Sequence, residues 1–188
     1  MISEALCTPV MSFVEQQPVP HDALLKTYRG GERPELWGQH GDCFSVQVNR
    51  VVTLAQWVFA FYTSPVFRLE RVILHVLARA PSNDQQAQDV AEGRGETFAV
   101  WMVGARTKDQ LLMCDRYGKT RSWFRVTPQP SGGTMLQFGS AVAARGGATG
   151  GTRMSGGFKV LLGLHKVYSK LLIGAAKHRA MSRHDLRP

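Results

Sequence analysis

The chain has 188 residues, 44% hydrophobic and 20% charged, with a formal net charge of +9. That is an ordinary globular composition, with enough apolar material for one domain to bury a core without disulfide or metal staples. The N-terminal stretch "MISEALCTPVMSFVEQQPVPHDALL" has no basic n-region, and the longest uncharged run, residues 51–67, is about 17 residues long and polar in places. Secretion and membrane spanning are both disfavoured on those grounds, and the expectation is a cytosolic protein.

Residues 1–41 are rich in proline and glycine, with turn signals at "GGERPE" and "GQHGD". They read as an irregular segment wrapped over a domain spanning 42–180, with 181–188 a basic tail. "DCFSVQV" alternates, placing Phe44, Val46 and Val48 on one face of a half-buried strand. Thr53 is a candidate cap for the helix "TLAQWVFAFYT", with Leu54, Trp57, Val58 and Phe61 on its apolar side. Pro65 breaks that helix and opens a second one, "PVFRLERVILHVLARA". Its periodicity turns Phe67, Val72, Ile73, Val76 and Leu77 inward and leaves Arg68, Glu70, Arg71 and Arg79 wet. Residues 81–96 read as a polar connection with one helical turn.

The period then changes to that of strands. "TFAVWMVGA", "QLLMCDR", "TRSWFRVT" and "TMLQFGSAVAA" are spaced as successive hairpins, with "YGK" and "PQPSGG" as turns. Pairing Arg116 with Thr120 puts Asp115 opposite Arg121 and Cys114 opposite Ser122. The stretch "RGGATGGTRMSGG", residues 145–157, follows, and a long amphipathic helix is predicted over "GFKVLLGLHKVYSKLLIGAAK". On a helical wheel Lys159, Lys166, Lys170 and Lys177 fall within about 40° of one another. Leu161, Leu164, Tyr168, Leu171, Leu172 and Ala175 lie opposite and would cover the sheet. The fold class is therefore α+β: an antiparallel sheet wrapped on a long C-terminal helix, with two short helices after the first strand.

Several chemistries lack their signatures. Reading from Gly146, the second glycine of a P-loop would be Gly151, but Thr152 and Arg153 occupy the positions of the required Lys and Ser/Thr. The glycine segment instead reads as a pliable connection to the helix, with Ser155 near the helix start and Arg145 and Arg153 flanking. Cys7, Cys43 and Cys114 have no C-x-x-C spacing, and the six histidines have no metal-binding spacing. No metal or cofactor is implied, and no G-x-S-x-G elbow or Cys–His nucleophile is present. Charge is lopsided: residues 1–114 carry ten Lys/Arg against twelve Asp/Glu, and residues 115–188 carry thirteen against two. An acidic partner such as nucleic acid or an anionic membrane fits that asymmetry.

The element order, with "AFYTSPVFRLERVIL", "DQLLMCDRYGKTRSWFRV", "FGSAV" and "HKVYSKLLIGAAKHRA", resembles the helix-grip fold of the START and birch-pollen-allergen superfamily. The resemblance covers roughly 42–180. It implies a sheet gripping the C-terminal helix around an apolar cavity, and a carrier, chaperone-like protein or, less commonly, an enzyme. The strand-like runs number fewer than the seven usual in that superfamily, which predicts a shortened sheet and a reduced pocket.

Three functions follow as expectations. The leading one is noncatalytic binding of a lipid-like or aromatic small molecule, with or without an anionic head group, between sheet and helix, through Trp101, Asp115, Arg121, Trp123, Phe138, His165 and Tyr168. Phe98 and Phe124 are further interior candidates, and Tyr117 lies near Asp115 and Arg121. Adjacent strand residues point opposite ways, so Trp123 and Phe124 cannot both line the cavity. The second is a basic interaction module contacting nucleic acid or an anionic membrane through Lys159, Lys166, Lys170 and Lys177. The third is a small enzyme of the polyketide-cyclase kind, which requires a titratable group such as Asp115 or His165 inside the cavity.

Overall fold

Four local signals place the central elements. In the computed structural model, which describes residues 13–30, 41–143 and 173–179, Thr53 caps α2 (Leu54–Tyr62) in a full capping box. Its side chain accepts from the Gln56 amide while the Gln56 side chain accepts from the Thr53 amide. Pro65 then begins α3 (Pro65–Ala78), where its missing N–H costs nothing. A second capping box, Asn83 with Gln86, starts α4 (Asp84–Glu92), and Gly93 ends it in the left-handed region at φ 79°. The stretch read as a polar connection thus holds a nine-residue helix, whose few apolar residues, Ala87, Val90 and Ala91, are all buried.

The strands are β1 (Glu15–Gln17), β2 (Gly41–Val48), β3 (Thr97–Phe98), β4 (Trp101–Arg106), β5 (Gln110–Asp115), β6 (Thr120–Pro128) and β7 (Thr134–Val142). They form one seven-stranded antiparallel sheet in the order β1-β2-β7-β6-β5-β4-β3. The α+β class and the antiparallel sheet agree with the helix-grip expectation, but the strand count does not fall short. Two strands, β1 and β3, are too short to register as alternating runs. A four-residue helical turn, α1 (Leu24–Thr27), and β1 also lie within the segment read as irregular.

Other readings are corrected in detail. "TFAVWMVGA" is not one strand: Ala99 turns the chain at φ 53°, and Phe98 pairs back on Trp101. In the β5–β6 hairpin Cys114, not Asp115, lies opposite Arg121, and Met113 lies opposite Ser122. The pairing is shifted by one as Asp115, the last residue of β5, turns its carboxylate onto the β5–β6 turn, where it binds the amides of Tyr117, Lys119 and Thr120. On α3, Phe67 is buried as expected, but Val72 is 60% exposed. Arg71 takes the sheltered position instead. Its guanidinium reaches Asp84 and Ser82 and lies over the Phe98 ring. The side chains of Ile73, Val76 and Leu77 fall outside the described residues.

The sheet is covered on both faces. One face, with Phe44, Val46, Val48, Leu111, Met113, Phe124, Val126, Leu136 and Phe138, meets α2, which is buried nearly all round. Phe61 stacks on Phe138 at 4.6 Å and meets Phe124 edge-on at 4.8 Å, and the Trp57 indole donates to the Gln137 carbonyl. Such aromatic pairs add about 1 kcal/mol each beyond their burial. Residues 173–179 are helical, and Ile173 and Ala176 enter this same core. Ala176 is buried, not Ala175, so the inward stripe is one residue on from the sequence reading. The remainder of the expected long helix and the glycine segment 145–157 lie outside the described residues.

The second face carries Cys43, Leu112, Trp123 and Ala141, covered by Val19, Ala23 and Leu25 of the N-terminal segment. Gln110 ties the two together: its side-chain oxygen accepts from the Leu24 amide and the Trp123 indole. Arg125 adds a paired contact to Asp22.

Candidate functional site

Pleat parity decides which of the expected site residues meet. Phe124 faces α2 and Trp123 faces the N-terminal segment, both fully buried. Trp101 and Phe138 belong with Phe124, whereas Arg121 shares the Trp123 face. The expected ligand-binding group is therefore divided by the sheet itself. Gly104 contributes to this division. It is the extra residue of a bulge between Val103 and Ala105, which returns Ala105 to the second face after Val103 on the first.

On the second face Arg121 is only 2% exposed. Its guanidinium donates to the carbonyls of Tyr28 and Gly30 and sits 5.0 Å from the Tyr28 ring centre. Burial lowers its pKa from the ordinary value, a tendency opposed by the Cys114 thiol and Tyr28. The Cys114 thiol is raised by burial against the pull of Arg121, and burial pushes Cys43 up to about 11. Both cysteines are free. Asp115 ends β5, and its carboxylate accepts from three backbone amides of the β5–β6 turn and from the Thr120 hydroxyl. Tyr117 does not join Arg121 but points outward, its hydroxyl accepting from Arg116.

On the helix-covered face the structure assembles an aromatic wall where α2 and α3 meet the β3–β4 hairpin. Tyr62 lies 4.5 Å from Phe98 and 5.0 Å from Phe67, ring centre to ring centre, and Phe67 lies 5.8 Å from Trp101. Tyr62 is 1% exposed, yet among the described residues its hydroxyl has no hydrogen-bond partner, and neither does the buried indole nitrogen of Trp101. Unsatisfied buried donors are uncommon in native proteins, and each costs about 1–3 kcal/mol. Burial, and secondarily the charge of Glu70, raise the Tyr62 phenol far above its usual range, so it remains a neutral hydroxyl. Arg71 rests over Phe98 at the outer side of the wall, already bound to Asp84 and Ser82.

Of the expected site, Trp101 belongs to this wall and Phe138 to the adjoining core. The sequence turns Phe67 inward on its helix but does not single out Tyr62. The hint in the sequence is that α2 is apolar or aromatic everywhere except Gln56 in its first turn, which leaves the Tyr62 hydroxyl at its far end no polar face to join. His165, Tyr168, Lys159, Lys166 and Lys170 lie outside the described residues, and Lys177 is half-buried. An open groove of roughly 500 Å³ runs between α3 and residues 81–84, but Asp84 already pairs with both of its arginines, Arg68 and Arg71. Among the described residues no group of His, Cys, Asp and Glu is placed to hold a metal ion, and no helix is long and apolar enough to cross a membrane.

No family model and no curated protein matches the chain. Among solved structures, CalU16 from Micromonospora echinospora aligns over 91% of this chain and 93% of its own, with 9% identity and a TM-score of 0.33.

Proposed function

We propose that this protein binds an apolar small molecule against the wall of Tyr62, Phe67, Phe98 and Trp101, without chemistry. The observation that carries the reading is the pair of buried donors, Tyr62 Oη and Trp101 Nε1, left without partners among the described residues in an otherwise aromatic cluster. A ligand that supplies acceptors there recovers hydrogen bonds that the protein alone forgoes. The wall offers the rest of the affinity. Burying about 300 Å² of apolar ligand surface contributes on the order of 7 kcal/mol before ordering costs.

The packing of Ile173 and Ala176 into the same core supports a ligand held on the helix-covered face of the sheet, as the helix-grip resemblance implies. The test is native mass spectrometry of the protein from its own host, compared with a denatured sample. A bound mass that disappears on denaturation is expected. A bare mass, together with no binding of small aromatic probes, defeats the reading.

A further inference from the structure

We infer that the molecule held at this wall carries a neutral acceptor oxygen, a ketone, ester or ether, on its apolar body, and not a carboxylate or phosphate. The inference rests on the ligand-binding reading above and adds the ligand's polar chemistry. Two observations carry it. Both orphan groups offer a proton: an indole nitrogen only donates, and a phenol hydroxyl without a partner has its hydrogen free. A hydrocarbon would leave both donors unsatisfied, and a ligand with only donor groups would add more.

The second observation is the charge around the wall. Glu70 acts electrostatically on the Tyr62 hydroxyl, so an anion placed there meets a like charge. Among the described cations, Arg71 lies over Phe98 with its guanidinium engaged by Asp84 and Ser82, and Arg179 donates to the hydroxyl of Thr63, next to Tyr62. Asp115, opposite Trp101 across the β4–β5 pair, is another acid, its oxygens turned to the amides of its own turn. Moving a carboxylate out of water into such a site must draw on described cations that are already engaged, whereas a carbonyl loses far less hydration and gains the same donors.

The experiment uses three probes of nearly one shape: 2-acetylnaphthalene, 2-ethylnaphthalene and 2-naphthoate. Each is titrated at pH 7.5 into the full-length protein and into the Tyr62→Phe and Trp101→Phe variants, followed by NMR on the indole N–H signals. The ketone is expected to bind about tenfold tighter than the hydrocarbon, with the carboxylate weakest. Its binding should shift the indole signal that the Trp101→Phe variant lacks. Tyr62→Phe removes an unpaired hydroxyl and keeps the ring, so it should fold, and it should cut the ketone's advantage while leaving hydrocarbon affinity within about twofold. Equal binding of ketone and hydrocarbon overturns the acceptor inference and leaves the apolar site standing. Tightest binding by 2-naphthoate overturns it as well. Binding of none of the three removes both the inference and the reading beneath it.

Discussion

Replacing Asp115 by alanine removes the acceptor around which the β5–β6 turn is organised. One carboxylate oxygen receives the amides of Tyr117 and Lys119 at 2.6 and 3.2 Å. The other receives the Lys119 amide at 3.1 Å, the Thr120 amide at 2.5 Å and the Thr120 hydroxyl at 2.6 Å. Hydrogen bonds to a charged group contribute about 1.5–3 kcal/mol each, though not additively. Tyr117 and Lys119 are exposed, so water can take over their amides, but Thr120 is half-buried and Asp115 is only 8% exposed. Counting the two Thr120 bonds nearly in full gives a loss of about 3 kcal/mol. For a domain of this size that lowers Tm by roughly 6–12 °C. Asp115→Asn keeps one acceptor oxygen but turns an amide group toward the Thr120 donors, so a loss of about 2 kcal/mol is expected. Urea denaturation followed by circular dichroism measures both. A loss below about 0.5 kcal/mol for the alanine variant, at unchanged m-value, would refute the assignment of Asp115 as the organiser of the turn.

Asp84 gives a pH signature. Burial acts to raise its pKa, but hydrogen bonds from Arg71 and Arg68 outweigh that and hold it below the ordinary value. A depressed folded-state pKa stabilises above the unfolded value, near ~3.9, and the contribution fades as pH falls through the lower folded value. The stability gap between wild type and Asp84→Asn should therefore be constant from about pH 5 to 8 and narrow steadily below about pH 4; a pH-independent gap in urea titrations counts against the pairing. Gly104→Ala would place a Cβ 2.8 Å from the Cys114 sulfur. A loss of about 1–2 kcal/mol is expected, with a good part regained in Gly104→Ala/Cys114→Ala; strict additivity in that double-mutant cycle would show that the sulfur is not what the methyl strikes.

Much of the chain's local structure follows from the sequence by itself. Thr53, Gln56 and Pro65 determine where α2 begins and where α3 takes over, because caps and proline act within a turn of their own position. The strands β5, β6 and β7 and their two turns are legible for the same reason, and with them the α+β class. What the sequence leaves open is what each side chain meets. With both faces of the sheet buried, alternation no longer separates inside from outside, and only the covering elements decide that Phe124 meets α2 and Trp123 meets the N-terminal segment. The one-residue change of register at Asp115, the bulge at Gly104, and the exchange that shelters Arg71 and exposes Val72 each depend on a partner distant in the chain or on the satisfaction of a polar group. The aromatic wall is of that kind. Tyr62, Phe67, Phe98 and Trp101 come from two helices and a hairpin. Hydrophobic period fixes which face of an element is apolar, but an aromatic cluster of this kind is a meeting of several faces, and that is settled only when the elements pack.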